Sequence, residues 1–134
     1  MSVAIHYRAR HPVLGNFRAI KRPLLKGESE NESLLARFRR EVQAVGTLNH
    51  DHIIRAHDAG ADDEGPYLVM EYIEGESLSQ LLDNRGQLPV AEACEMMRQA
   101  AIGLQAAHER GLVHRDIKPS NLMLSRANSG ARVV

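Results

Sequence analysis

The chain has 134 residues, of which 43% are hydrophobic and 25% charged, a composition typical of a globular protein with one core. Basic and acidic residues number 17 each, so the net charge of zero provides no general attraction for nucleic acid or an anionic membrane. The single cysteine, Cys94, excludes an internal disulfide and favours a cytoplasmic location, and no apolar run approaches the roughly 18 residues of a membrane span.

The N-terminal section predicts two short strands, Ile5–Arg10 and Phe17–Arg22, joined by a turn at residues 11–16. The period of two of a strand places Ala19 and Lys21 on one face. Because lysines are mostly exposed, the strand taken alone favours an edge position for Lys21.

An amphipathic helix is predicted over residues 30–48, since Leu35, Phe38, Val42 and Val45 recur at steps of three and four. Taken alone, Glu41 beside this apolar stripe is an ordinary solvated glutamate. Strands at Ile53–Ala59 and Tyr67–Tyr72 follow, separated by a polar turn at residues 62–66. The second of these strands is apolar on both faces and should be buried.

The character of the chain changes at residues 73–76, where we expect a boundary between lobes. Ser77 and Gln80 have the spacing of a capping box, which predicts a short helix. A longer helix is predicted from Pro89 to a C-cap at Gly111. Its core face is expected to carry Val90, Cys94, Met97, Ala101 and Leu104.

Residues 114–121, with the sequence His-Arg-Asp-Ile-Lys-Pro-Ser-Asn, contain the most specific motif of the chain. They match the signature H-R-D-L-x-x-x-N, with isoleucine in place of leucine. A capped helix precedes the motif and the strand-like residues 122–124 follow it. Phosphoryl transfer requires a base, cations and metal ligands rather than covalent chemistry, and this loop supplies such groups.

On these residues the chain resembles eukaryotic-type protein kinases, most closely the bacterial serine/threonine members. The resemblance implies an α+β, protein-kinase-like two-lobe fold in truncated form. Residues 1–72 would form a small antiparallel-sheet N-lobe, 73–76 the hinge and 77–134 part of a helical C-lobe. The implied activity is ATP- and Mg²⁺-dependent transfer of the γ-phosphoryl group to Ser or Thr of a protein substrate.

The resemblance also implies roles for the loop residues. Asp116 would be the catalytic base, Asn121 a magnesium ligand, and Lys118 the cation that neutralises the transferred group. His114 would be an internal scaffold of the loop, and Arg115 would pair with a phosphorylated activation loop.

The strand of Lys21 resembles the Ala-x-Lys strand of the family, and residues 37–42 resemble the helix whose glutamate pairs with that lysine. The resemblance therefore reverses the interpretations of Lys21 and Glu41 taken alone and predicts an ion pair between them. A catalytic lysine and its partner glutamate would thus lie in the N-lobe.

Around the adenine of ATP, the resemblance implies that Ala19 covers one face and Met123 the other. Residues 68–75 resemble the interlobe hinge, with Met70 as the gatekeeper. Backbone groups of Glu71 and Ile73 would then contact the edge of the adenine.

Other functions remain alternatives. The first is a non-catalytic kinase-like binding module, but Lys21, Glu41 and Asp116 are retained, which argues against a long-standing loss of catalysis. A small-molecule phosphotransferase is weakened by Lys118-Pro119. A zinc site at His50, His52 and His57 is disfavoured because no cysteine pair or HExxH pattern accompanies these histidines.

The sequence departs from the family pattern at both ends. No G-x-G-x-x-G loop precedes Lys21, and no aspartate follows Asn121, so the Asp-Phe-Gly motif is missing from the 134 residues. We therefore expect the chain to contain about half of a kinase domain and to show no measurable kinase activity alone. The apolar helix from Pro89 should also make it prone to aggregation.

Overall fold

A computed structural model of the chain describes residues 4–25, 28–126 and 132–133. Residues 1–3, 131 and 134, which the predicted strands and lobes include, lie outside the described part. One element is a short 3-10 helix, Pro119–Asn121. The other elements are β1 (Ala4–Arg10), β2 (Phe17–Pro23), α1 (Glu28–Gly46), β3 (Ala56–Asp62), β4 (Gly65–Glu71), β5 (Gly75–Ser77), α2 (Leu78–Arg85), α3 (Val90–His108), β6 (Met123–Ser125) and β7 (Arg132–Val133). No helix in these described stretches is long and apolar enough to cross a membrane.

The elements divide into two compact units, each of which contains both helix and sheet, so the predicted α+β class is confirmed. The first unit is an antiparallel sheet of order β1-β2-β4-β3, which α1 contacts through β2 and β3. Phe38 of α1 and Leu68 of β4 are 5% and 2% exposed and supply its core. The other residues of β4 are half-buried, so this strand is less buried than its apolar sequence predicts.

The predicted position of the strand at Ile53–Ala59 is wrong, because β3 runs over Ala56–Asp62. Residues 50–54 form a turn that belongs to the second unit. Pairing with β4 extends β3 through its polar end, which leaves only residues 63–64 in the turn between the strands. The backbone hydrogen bonds between β3 and β4, rather than the apolar side chains, therefore decide where this strand lies.

The second unit contains α2, α3 and a sheet of order β5-β6-β7. The predicted capping box is confirmed: the Gln80 N–H donates to Ser77 Oγ at 3.1 Å, and the Ser77 N–H donates to Gln80 Oε1 at 2.9 Å. Residues from helices and sheet together form the core, namely Leu78, Leu81, Met96, Ala100, Leu122, Leu124 and Val133.

The prediction of which face of α3 is buried is wrong. Val90 and Met97 are 80% and 49% exposed, and Cys94 is exposed as well. The helix has apolar residues on more than one face, and the face that is covered in this unit, where α3 packs against β7, decides which residues enter the core. That face carries Met96, Gln99, Ala100 and Gly103.

Both backbone groups of Val133 in β7 are held by side chains of the second unit. The Val133 N–H donates to Gln99 Oε1 at 2.8 Å, and its carbonyl oxygen lies 2.8 Å from His52 Nδ1. A Cβ on Gly103 of α3 would lie 2.6 Å from the His52 carbonyl oxygen. The turn at residues 50–54 is therefore fixed in this unit by β7 on one side and by the close approach of α3 on the other.

Candidate active site

Lys21 lies in the interior of the first unit's sheet rather than at its edge. Its strand β2 pairs with β1 on one side and with β4 on the other, and its side chain is 15% exposed. The ammonium group forms an ion pair and a hydrogen bond with the Glu41 carboxylate of α1, the contact that the resemblance implies. A charge-assisted contact of this kind fixes the direction of an otherwise flexible lysine.

Ala19 and Met70 are cross-strand neighbours on the same sheet face as Lys21. Ala19 of β2 pairs directly with Met70 of β4, and Lys21 pairs with Leu68 two residues along the strands. Side chains that are directly opposite in an antiparallel pair point to the same face. The structure thus brings three predicted nucleotide-binding residues of the first unit onto one surface, beside Glu41.

Glu71, at the end of β4, has its main-chain N–H engaged within the first unit. That group donates to the Arg55 carbonyl at 2.8 Å, while the Glu71 carboxylate accepts from the Arg55 N–H at 3.3 Å. A contact from Glu71 to adenine would therefore use its carbonyl oxygen. Ile73 belongs to the second unit, where its side chain is 7% exposed.

The loop of residues 109–118 begins where α3 ends. The helix stops at His108, earlier than the predicted C-cap at Gly111. Gly111 has φ +76°, a left-handed conformation that glycine adopts without steric cost, and its N–H donates to the His108 carbonyl at 2.9 Å. The chain leaves the helix through this turn and enters the motif of residues 114–121.

Three side chains organise the loop around Asp116. The Asn121 Nδ2 group donates to the Asp116 carbonyl at 2.9 Å and to its carboxylate at 3.3 Å. Lys118 Nζ lies 3.4 Å from Asp116 Oδ2, and His114 Nδ1 accepts from the Asp116 N–H at 3.2 Å. This contact makes His114 a scaffold of the loop. Its side chain is exposed, however, and is therefore not internal to the fold.

Arg115 has φ +67°, the one left-handed backbone among the described residues other than glycine. That conformation costs a residue with a Cβ roughly 1–2 kcal/mol. Such strain is often found at functional sites, and here it lies between the two residues His114 and Asp116, which hydrogen-bond to each other. The backbone of the loop is thus held in a specific bend by its own side chains.

The donor set of this loop suits a magnesium ion. Magnesium prefers oxygen ligands and is bound in proteins by few side chains. Because the Asn121 Nδ2 group is directed at Asp116, its Oδ1 atom is the part of the amide left to coordinate a cation. The Asp116 carboxylate is 49% exposed at the side chain and remains accessible to an incoming hydroxyl group.

Met123 follows the loop as the first residue of β6, where it pairs with Ser77 of β5 and is half-buried. The candidate residues thus fall into two sets, one in each unit. The first set is Ala19, Lys21, Glu41, Met70 and Glu71; the second is Ile73, Asp116, Lys118, Asn121 and Met123.

His6 was not identified by the sequence, yet it lies directly opposite Lys21 in the β1–β2 ladder. Partial burial and the charge of Lys21 lower the pKa of His6, and Glu41 acts in the opposite direction. The alternation within β1 could have placed His6 on a face, but only the register of the hairpin shows which residue it faces.

A family model described as the protein kinase domain matches residues 2–134. The chain belongs to the protein kinase family. A probable serine/threonine-protein kinase of Clostridium perfringens is 36% identical over 120 residues, which are 89% of this chain and 17% of that protein. Serine/threonine-protein kinase PknL of Mycobacterium tuberculosis is 45% identical over 95 residues, 71% of this chain and 24% of the relative.

Solved kinase structures confirm the protein-kinase-like fold. The M. tuberculosis PknI kinase domain superposes with a TM-score of 0.76 at 30% identity, covering 96% of this chain and 51% of that one. Rad53 1–466, in complex with AMP-PNP, superposes with a TM-score of 0.82, covering 98% of this chain and 34% of the Rad53 chain. Because the two sequences are only 24% identical, this likeness shows the fold alone. This member of the kinase family spans about half of the solved PknI domain and a quarter or less of the curated relatives.

Proposed function

We propose that the chain forms part of an ATP-dependent protein serine/threonine kinase, which transfers the γ-phosphoryl group of ATP to Ser or Thr hydroxyls of a protein. The observation that carries the proposal is the loop in which Asn121 and Lys118 converge on Asp116, in a chain of the protein kinase family. The matched relatives are named serine/threonine-protein kinases, which supports this acceptor specificity.

The loop would act on the acceptor side of the reaction. Asp116 accepts the proton of the attacking hydroxyl, and Asn121 holds its carboxylate in place. Lys118, within 3.4 Å of Asp116, neutralises negative charge on the phosphoryl group as it moves. A magnesium ion with Asn121 among its ligands would neutralise phosphate charge when bound.

The first unit would act on the nucleotide. Lys21, oriented by Glu41, binds the phosphates, while Ala19 and Met70 lie beside it on the same face. The adenine is assigned to Ala19 and Met123 on its faces, with Met70 as the gatekeeper and backbone groups of Glu71 and Ile73 at its edge.

The proposed division into lobes is residues 1–72, a hinge at 73–76, and 77–134. We place the protein on the cytoplasmic side of the cell, where ATP is available and where its single cysteine stays reduced. The substrate is a protein with an accessible Ser or Thr hydroxyl.

Calorimetric titration with MgATP tests the nucleotide role of Lys21. Lys21→Met should weaken MgATP binding at least about tenfold, whereas adenosine binding should be unchanged. The matched control is Arg22→Met, because Arg22 lies on the opposite sheet face and donates to Asp62 at 2.8 Å. Equal MgATP affinities for the wild type and Lys21→Met would contradict the assignment.

A further inference from the structure

His6 shares a sheet face with the Lys21–Glu41 ion pair. In the antiparallel register of β1 and β2, His6 pairs with Lys21. The Cβ atoms of such a pair are about 5 Å apart, and both side chains project from the same side of the sheet. The imidazole of His6 is therefore the immediate neighbour of the ammonium group that we assign to the nucleotide phosphates.

The charged groups around His6 are mostly cationic. Lys21 approaches from β2 and Glu41 from α1, while β4 contributes the apolar Leu68 and Met70 to this face. On β1 itself the next residue of the same face is Arg8, whose guanidinium lies 4.7 Å from the centre of the Phe17 ring. Since Glu41 is engaged with Lys21, this face has an excess of positive charge that an anion would relieve.

The His6 ring is available to a ligand. It is only partly buried, and no hydrogen bond to it is found within the described part of the chain. The lowered pKa follows from partial burial and from Lys21, so the ring is mostly neutral near pH 7. A neutral imidazole beside a lysine can donate one hydrogen bond and can take up a proton when a negative group arrives.

We propose that His6 is a second phosphate-binding residue of the nucleotide site, which hydrogen-bonds to a phosphate oxygen beside Lys21 and is protonated when the nucleotide binds. This inference rests on the proposed function, namely that Lys21 binds the nucleotide phosphates. The phosphate charge offsets that of Lys21 and favours the imidazolium form of His6.

Proton uptake by His6 and nucleotide binding are coupled in a definite direction. A bound phosphate raises the pKa of His6 above its lowered value in the free protein, so the complex holds more protons than the free protein. The affinity for the nucleotide must then increase as the pH falls through the pKa of His6 in the complex. Adenosine, which lacks phosphate, should show no such dependence on His6.

Proton NMR titration of the histidine rings tests the proposal directly. Saturating MgADP should raise the pKa of His6, and adenosine should leave it unchanged. His57 is the internal control, because its charged neighbours are Arg18, Glu71 and Arg55. Arg18 and Glu71 pair across β2 and β4 on the sheet face opposite to that of His6 and Lys21. A His6 titration that does not respond to MgADP would overturn the proposal.

The matched variants are His6→Gln and His57→Gln. From pH 7.5 to 5.5 the MgADP affinity of the wild type and of His57→Gln should increase about fivefold more than that of His6→Gln. If His6→Gln keeps the full pH dependence while Lys21→Met still weakens binding, the inference fails and the proposed function stands. If the chain binds no nucleotide, or if Lys21→Met has no effect, both fail.

Discussion

Lys21 of β2 and Glu41 of α1 are 20 residues apart in sequence, and their charged groups are in direct contact. Their side chains are 15% and 36% exposed, so water screens the pair in part and its net contribution to stability is small. Its main consequence is positional, because it fixes the ammonium group above the face that carries Ala19 and Met70.

We predict that Glu41→Gln changes the free energy of unfolding by less than about 1 kcal/mol but weakens MgATP binding severalfold. In a double-mutant cycle, Glu41→Gln should have little further effect on binding once Lys21 is Met. The control is Glu64→Gln, since Glu64 is 77% exposed and 3.8 Å from Arg22. Fully additive effects of the two site variants on MgATP affinity would argue against a shared role.

Gly103 should be intolerant of a side chain. A Cβ there would lie 2.6 Å from the His52 carbonyl oxygen, so Gly103→Ala should lower the free energy of unfolding by about 1–3 kcal/mol. Gly46, at the end of α1, is the matched control because a Cβ there meets nothing within 4 Å. Gly46→Ala should be neutral or stabilising by up to about 1 kcal/mol in urea unfolding. Equal stabilities of the two variants would show that α3 does not approach this turn closely.

Met96 and Met97 are adjacent on α3 and differ in burial, with 5% and 49% exposure. Met96→Ala should cost about 2–5 kcal/mol in urea unfolding, and Met97→Ala less than about 1 kcal/mol. Met97→Lys should also reduce the aggregation that we expect of the exposed apolar face. Similar costs for the two alanine variants would indicate that the face of α3 with Met97 is buried as well.

Glu95 makes the stability of the second unit pH-dependent. Hydrogen bonds from Arg98 and then from Gln99 lower its pKa to about 2, compared with roughly 4.3 in an unfolded chain. A lowered carboxyl pKa contributes stability that is present above the unfolded value and is lost as the pH falls toward the folded value. Between pH 5 and about 2, the unfolding free energy of Glu95→Gln should therefore fall less steeply than that of the wild type.

The control for this titration is Glu109→Gln, which removes an exposed carboxylate that accepts from Gln105 at 3.1 Å. A Glu95→Gln variant with the wild-type slope would mean that Glu95 does not titrate as the contacts with Arg98 indicate.

The parts of the candidate site that could be predicted are those encoded in local spacing. The loop at residues 114–121 has a fixed order of chemical groups, so the motif by itself marks Asp116 and Asn121 as candidate site residues. The contact between Lys21 and Glu41 could be predicted because strand and helix residues keep a characteristic separation in this family. Likewise the capping box at Ser77 depends on residues three apart.

The parts that could not be predicted depend on pairing and packing between distant segments. His6 faces Lys21 only because of the hairpin register, and a slip of one residue would turn it to the other face. The apolar pattern of α3 fits two faces, and packing with β7 selects the one with Met96. The bounds of β3 follow its hydrogen bonds to β4 rather than its own composition.

We propose that the loop around Asp116 catalyses phosphoryl transfer to protein hydroxyls. We suggest a chimera in which this chain replaces the matching segment of the PknL kinase, to which it is 45% identical over 95 residues. The measurement is the rate of phosphate transfer from MgATP to Ser and Thr of a protein substrate. Its control is Asp63→Asn, in the turn between β3 and β4.

The folded chimera should transfer phosphate, Asp116→Asn should lower kcat by at least about a hundredfold, and Asp63→Asn should leave it unchanged. A folded chimera that binds MgATP but transfers no phosphate would indicate a non-catalytic binding module. An Asp116→Asn chimera that transfers phosphate as fast as its parent would contradict the claim.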